Sequence, residues 1–301
     1  MSFASRSRYT WQLRTQALAL GDRTRLMGIV NLTPDSFSGD GLAAGTERAV
    51  EHGLGLLEQG ADLLDLGAES TRPRATPLSA TEEQSRLLPV LEALRRERPK
   101  AVLSVDTYHA VTARAAVLAG AEIVNDVSGL LWDTAMPETI ASLAPGLVLM
   151  HTRGTPQTWH TLPPLQYAEV TPLVRRELWL RLAHAERAGI PRSAVVLDPG
   201  FGFGKLGDGN LALLGELDSL RSLDRPLLVG LSRKGFLAKA LEDAGVRACV
   251  AADAAPRLKR LHPTLAANVA AILQGAHILR VHDVGPAAEA AAIADALLSR
   301  P

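Results

Sequence analysis

Asp106, Asn125, Asp198 and Lys234 each stand just beyond or at the end of a separate apolar run. Together they offer acceptors, an amide that both donates and accepts, and one cationic donor. A flat heterocycle with ring N–H, amino and carbonyl edges would satisfy that mixture. Arg72, Arg280 and His282 form a second set, suited to a phosphate or pyrophosphate that the two arginines could grip bidentately. Asn31 could touch a magnesium ion, which keeps most of its waters and leans on substrate phosphates. The sequence holds no HExxH pair and no Cys/His cluster, so a built-in zinc site of those kinds is not expected.

Other strand ends carry similar groups: Glu69, His151, the run Ser232-Arg233-Lys234, and Asp126 and Asp283. A single Asp after a strand is ordinarily a helix cap or turn former, and Asp126 and Asp283 are read that way. Capping does not account for the whole set, because buried charge is costly unless paired or met by a ligand. The glycine-rich run Gly200-Phe201-Gly202-Phe203-Gly204-Lys205 lacks the spacing of a dinucleotide fingerprint. It reads as a tight strand exit that lets backbone approach a flat ligand. Gly230 and Ser232-Arg233-Lys234 lack Walker spacing, which argues against a nucleoside triphosphate site. Phe37, in the polar stretch Asn31–Ser38, calls for a partner.

Positioning these groups requires a repeated element. Eight short apolar runs recur: Leu26–Val30, Leu63–Leu66, Val102–Val105, Glu122–Val124, Leu147–Met150, Ala194–Leu197, Leu227–Val229 and Ile278–Val281. Most lack alternation, as expected of strands buried on both faces. Between them the pattern predicts helices over Thr46–Gln59, Thr81–Glu97, His109–Ala119, Pro164–Ala188, Asn210–Ser219, Thr264–Gln274 and Pro286–Leu298. Ser79 and Glu82 form a capping-box signature before the second. Such alternation is the mark of a TIM (β/α)8 barrel in one domain, with a doubly wound open sheet as the runner-up. Residues 24–301 are assigned to the barrel, and residues 1–23 to an extension capping its bottom. Ala238–Pro263 is longer than a simple loop and is expected to carry an insertion.

The bulk numbers exclude several classes. Lys and Arg total 32 against 32 Asp and Glu in 301 residues, so no global pull toward nucleic acid or membrane is expected. Apolar runs are too short to span a bilayer. With one cysteine, Cys249, no intrachain disulfide is possible, and a cytoplasmic setting is the simplest expectation. Arg6, Arg8 and Arg14 precede no apolar signal core, which argues against a secretory signal, while composition leaves a transit peptide open.

The run Met27–Ser38 resembles the first signature of dihydropteroate synthases, and Glu69–Pro73 looks like the second. The motifs Ser104–Thr107, Asn125–Gly129, Leu149–His151, Leu197–Lys205, Gly230–Lys234 and Arg280–Val284 then fall in family order, so the resemblance covers roughly residues 25–298. It implies a TIM barrel that joins 6-hydroxymethyl-7,8-dihydropterin diphosphate to 4-aminobenzoate, giving dihydropteroate and pyrophosphate. It also implies that Asp106, Asn125, Asp198 and Lys234 hold the pterin, and that Asn31, Arg72, Arg280 and His282 handle the diphosphate, with Mg2+ on Asn31. Phe37, Thr71, Pro73, Phe203 and Ser232 would build the aminobenzoate pocket. Asp106, Lys234, Arg280 and His282 are the expected catalytic groups, and a homodimer is the expected assembly.

Where the family usually has Asp-Gly-Gly after the Phe-Ser of the first loop, this chain has Gly39-Asp40-Gly41. The loop carboxylate therefore sits one residue later. A pterin-binding paralogue of low activity is one alternative reading. A methyltetrahydrofolate:corrinoid methyltransferase is another, although it would not need Thr71-Arg72-Pro73, Ser232-Arg233-Lys234 or a diphosphate clamp.

Overall fold

The computed structural model describes residues 5–33, 41–69, 77–159, 161–206, 208–246 and 260–299, with side chains of the first helix from residue 45 onward. An antiparallel hairpin comes first, β1 (Tyr9–Gln12) and β2 (Ala17–Leu20). Eight parallel strands follow: β3 (Arg25–Asn31), β4 (Leu63–Gly67), β5 (Val102–Asp106), β6 (Ile123–Asp126), β7 (Gly146–Met150), β8 (Val195–Asp198), β9 (Leu228–Val229) and β10 (Ile278–Val281). Their order runs β8-β7-β6-β5-β4-β3-β10-β9. One parallel bridge, Leu197 to Leu227, joins β8 to the approach of β9 and closes the ring. The fold is a TIM barrel, and this closure rules out the open doubly wound sheet.

The helices are α1 (Gly41–Glu58), α2 (Ala80–Glu97), α3 (Ala110–Leu118), α4 (Met136–Leu143), α5 (Tyr167–Arg187), α6 (Gly209–Gly215), α7 (Gly235–Asp243), α8 (Leu261–Leu273) and α9 (Val284–Leu298). The capping box forms as the sequence implies: Glu82 N donates to Ser79 Oγ at 3.3 Å and Ser79 N donates to Glu82 Oε2 at 3.2 Å. Three elements differ from expectation. Helix α4 has no counterpart in the sequence pattern, because only eight residues carry it and Pro137 stands at its start. The helix expected over Asn210–Ser219 is broken at Gly215 into α6 and a 3-10 turn, Leu217–Leu223. The expected insertion overlaps α7, which occupies Gly235–Asp243, while residues 247–259 lie outside those described.

Two apolar clusters divide the interior. The larger lies between the strands' outer faces and the helices. The smaller takes one residue from each barrel strand: Met27, Leu63, Val102, Ile123, Val148, Val196, Leu228 and Ile278. Trp11, Leu13 and Leu20 of the hairpin region pack against this second cluster, and Trp11 Nε1 donates to Ala194 O at 2.8 Å. The hairpin therefore lies at the N-terminal end of the strands. Side chains alternate along a strand, so residues two and four positions further on share the inward face at the opposite mouth. Among the described residues, no helix is long and apolar enough to cross a membrane.

Candidate active site

Counting along the inward faces from the apolar cluster leads to the polar groups. Two residues beyond Leu63, Ile123, Val196 and Ile278 stand Asp65, Asn125, Asp198 and Arg280, and four beyond Val102 stands Asp106. The structure joins four of these. Arg280 Nε donates to Asp65 Oδ2 at 2.6 Å, and Arg280 Nη2 donates to Asp106 Oδ2 at 2.6 Å. Asn125 Nδ2 donates to the same Asp65 Oδ2 at 2.9 Å. Gly67 lies beside this chain because a Cβ there would meet Asp106 Cβ at 3.3 Å.

Burial sets the charge behaviour. Desolvation pushes the Asp106 carboxyl up to about 7, Arg280 works against that rise, and Asp65 adds to it. Burial disfavours charge on Arg280, but Asp65 and Asp106 outweigh it, so its proton is held more tightly than usual. Burial also raises Asp198, opposed by the Gly200 N–H that donates to Asp198 Oδ1 at 2.7 Å. Lys234 is pushed down to about 8 by burial, against the pull of Asp198. Its ammonium sits 4.2 Å from the centre of the Phe203 ring, a cation–π contact.

The exit of β8 is built to hold this geometry. Gly200 has φ +66, and a Cβ there would lie 1.9 Å from His151 O. Lys205 is buried and donates to Gly200 O at 2.6 Å and Phe203 O at 3.3 Å. Asn210 completes the turn: its Oδ1 accepts from Gly202 N at 2.7 Å and its Nδ2 donates to Lys205 O at 2.8 Å. His151, expected among the strand-end groups, is instead a support. It is fully buried, its Nε2 faces Glu177 Oε2 at 3.0 Å, and burial followed by the Lys205 charge pushes its pKa well down.

On the far side, His282 N donates to Ser232 Oγ at 3.3 Å and His282 Nδ1 lies 3.0 Å from the same oxygen. His282 Nε2 lies 3.5 Å from Asn31 Nδ2. With its amide nitrogen turned to His282, Asn31 leaves its carbonyl oxygen as the donor for a cation. That is a hard ligand of the kind Mg2+ takes, so the residues present fit the ion.

Two strand-end aspartates divide. Asp126 is the turn former expected, accepting from Ser128 N and Leu130 N, each at 2.7 Å. Asp283 is not a helix cap by its side chain. It takes the Arg233 guanidinium through two bonds, Nη2 to Oδ1 at 2.7 Å and Nε to Oδ2 at 3.1 Å. Arg233 has φ +60, and this pair holds the loop that carries Ser232 and Lys234.

The structure thus brings together Asp106, Asn125, Asp198, Lys234 and Arg280, with Phe203 against Lys234, and a neighbouring group of Asn31, Ser232 and His282. Phe37, Thr71, Arg72 and Pro73 lie outside the described residues. Asp65 was missed by sequence reasoning that looked only at strand ends. Its signal was a carboxylate inside the apolar run Leu63–Leu66. Asp65 Oδ1 and Ser104 Oγ are buried with no hydrogen-bond partner beneath this mouth. Buried polar atoms normally find partners, so the pair points to a ligand edge or water here.

A family model described as pterin binding enzyme matches residues 27–282. The chain is 41% identical over 290 residues to the mitochondrial folate synthesis bifunctional protein of Arabidopsis thaliana, covering 93% of this chain and 50% of that one. It thus spans about half the length of that plant relative. It is 39% identical over 274 residues to the dihydropteroate synthase of Escherichia coli K12, covering 91% of this chain and 92% of that one. Among solved structures, Xanthomonas albilineans dihydropteroate synthase with 4-aminobenzoic acid superposes with a TM-score of 0.85 at 40% identity, over 98% of this chain and 100% of that one.

Proposed function

The chain belongs to the pterin binding enzyme family, and from that premise we propose that it is a dihydropteroate synthase. Its substrates would be 6-hydroxymethyl-7,8-dihydropterin diphosphate and 4-aminobenzoate, and its products 7,8-dihydropteroate and pyrophosphate. The observation that carries this reading is the ring of Asp106, Asn125, Asp198, Lys234 and Arg280 at one mouth of the barrel, above buried oxygens that lack partners.

In this reading Asp198, Asn125 and Lys234 take the amino, ring N–H and carbonyl edges of the pterin. Asp106 would offset positive charge that builds on the ring methylene as its C–O bond to the diphosphate breaks. The bonding pair leaves with pyrophosphate. Arg280, His282 and Arg72 would stabilise that growing negative charge. Asn31 is the residue that would hold Mg2+, whose charge supports a departing diphosphate. The arylamine nitrogen forms the new C–N bond and loses one proton, which passes to the departing pyrophosphate or to solvent. An arylamine is nearly neutral at pH 7, so a strong general base is not required. Phe203 and Ser232, with Phe37, Thr71 and Pro73, would line its pocket. Ser232 Oγ is already engaged by His282, so its contribution there would run through that pair.

A homodimer belongs to this proposal on the family resemblance; Trp179 and Leu180, more than half exposed on α5, are apolar surface that supports it. A cytoplasmic setting belongs to it as well, supported by the single cysteine. The test is to incubate purified protein with the pterin diphosphate, 4-aminobenzoate and Mg2+ and follow dihydropteroate and pyrophosphate together. Both should appear in equal amounts, and sulfonamides, as arylamine mimics, should compete with 4-aminobenzoate. Tight pterin binding without product would overturn the proposal in favour of a binding paralogue. Methyl transfer from methyltetrahydrofolate to a corrinoid would overturn it in favour of a methyltransferase.

A further inference from the structure

Just behind the barrel mouth, three potential metal ligands converge from separate elements. Glu69 follows β4, Glu83 lies in the first turn of α2, and His109 follows β5 at the N-cap of α3. One ligand atom from each lies within 4.8 Å of the other two. Neither carboxylate is fully satisfied by protein. Glu83 is almost wholly buried, and its Oε2 receives both Thr107 Oγ1 and His109 Nδ1 at 3.0 Å. Its other oxygen, Oε1, is buried with no partner. Glu69 is a weaker case of the same pattern: Tyr108 Oη donates to Oε1 at 2.7 Å and the Leu78 amide opposes the rise that burial gives the carboxyl's pKa, while Oε2 is buried without a hydrogen bond.

A buried carboxylate oxygen without a donor is expensive, and two in one cluster compound the cost through mutual repulsion. Glu83 holds the His109 proton more tightly than usual, and that ion pair offsets charge on Glu83 Oε2, but it reaches neither unpartnered oxygen. Asp133 turns its oxygens to the Ala110 and Ala135 amides at 2.8 and 2.9 Å, and adds negative charge near His109.

We propose that Glu69, Glu83 and His109 form a divalent-cation site for Zn2+ or a first-row ion of similar preference, with solvent in the fourth position. Imidazole nitrogen and carboxylate oxygen are both ligand types that Zn2+ takes, and three protein ligands plus solvent is the pattern of its open sites. At bond lengths of about 2.0–2.2 Å, tetrahedral ligands lie ~3.3 Å apart, so atoms now within 4.8 Å close through side-chain rotation. The side chain of His109 is 22% exposed, which gives an ion a route in. The bound ion would tie the ends of β4 and β5 to the first turn of α2. This inference does not rest on the proposed reaction, and its test reads metal rather than turnover.

Tag-free protein is stripped of metal, dialysed against Zn2+ and assayed for bound zinc, with affinity measured by competition against a chromogenic chelator. Wild type should hold one equivalent, and Zn2+ should raise its Tm where Mg2+ does not. Glu69→Gln and His109→Gln should each weaken binding by more than the roughly 10–100-fold that losing an outer partner costs. Their metal-free circular dichroism should match wild type, so that lost binding reads as a lost ligand and not as a lost fold. Glu83→Gln is a third probe, interpreted only if its circular dichroism matches wild type. As an independent signal, Co2+ should quench Trp132, whose ring lies 5.0 Å from that of Tyr108. Trp132→Phe should abolish that quenching. No stoichiometric zinc in wild type, or unchanged affinity in both Glu69→Gln and His109→Gln, would overturn the site.

Discussion

Asp65 takes three roles with one oxygen and leaves the other empty. Its Oδ2 accepts from Arg280 and Asn125, so it sets the position of a guanidinium and an amide that the proposed reaction uses. Its negative charge also helps hold the Asp106 proton on until about pH 7. The sign of the pH dependence follows. If Asp106 must be ionised, kcat/KM rises as its proton leaves through about 7. If Lys234 must be charged, kcat/KM falls as its proton leaves above about 8. The profile should therefore be a narrow bell whose limbs belong to the linked network rather than to isolated side chains. Asp65→Asn removes one repulsive charge, so the acid limb should move to lower pH. It also loosens Arg280, and kcat/KM should drop by about one to two orders of magnitude, the 1.5–3 kcal/mol of a charged hydrogen bond. An acid limb that stays in place would show that Asp65 does not act on Asp106. Asp106, Asn125 and Asp198 were legible because each closes or follows an apolar run, and Lys234 because it sits in the polar loop after one; Arg280 interrupts its run. Asp65 was not, because it stands inside the apolar run Leu63–Leu66, two residues before the end of β4. Asp283 stands at the N-cap of α9 as expected, but its carboxylate takes Arg233, 50 residues away, a pairing that local sequence does not reveal.

At the scale of elements, the loop after β8 shows how backbone shape carries the site. Gly200 cannot accept a side chain without moving His151 O, and Lys205 is fastened to the Gly200 carbonyl. Gly200→Ala should cost about 1–3 kcal/mol of stability through positive-φ strain, with more from the clash, and should sharply reduce dihydropteroate formation. Gly55→Ala is the matched control, since nothing lies within 4 Å of a Cβ there on α1. It should leave activity intact and raise stability by about 0.5–1 kcal/mol. Thermal unfolding and product formation measured on both variants check the pair. A Gly200→Ala protein with wild-type Tm and turnover would refute the role given to this loop. The strands were legible because burial on both faces leaves continuous apolar runs, and the Ser79/Glu82 box marked the start of α2. Helix ends were less so. The Asn210–Ser219 pattern continues apolar spacing through Gly215, where the backbone tightens into a 3-10 turn. Helix α4 is too short for periodicity to reveal.

For the whole molecule, the cluster at the N-terminal end of the barrel is the counterweight to the polar mouth. Trp11 is fully buried there among residues from all eight strands. Trp11→Ala should lower stability by about 3–5 kcal/mol by opening a cavity. Trp11→Phe keeps most of the packing and loses chiefly the bond to Ala194 O, about 1 kcal/mol. Denaturant midpoints of the two variants measure the difference, and equal losses would show that packing is not what the indole contributes.

The single bridge between Leu197 and Leu227 gives the barrel a seam. Every other neighbouring pair in the barrel shares two or more rungs, but here the hoop is fastened by one clasp beside a two-residue strand. Asp198 lies on one lip of that clasp, and Ser232-Arg233-Lys234 leave the other. Any breathing of the hoop at its weakest joint therefore widens the gap between the acid and the ammonium that would grip opposite edges of the same ring. A molecule seated across them would act as a rivet, and the barrel would be stiffer loaded than empty.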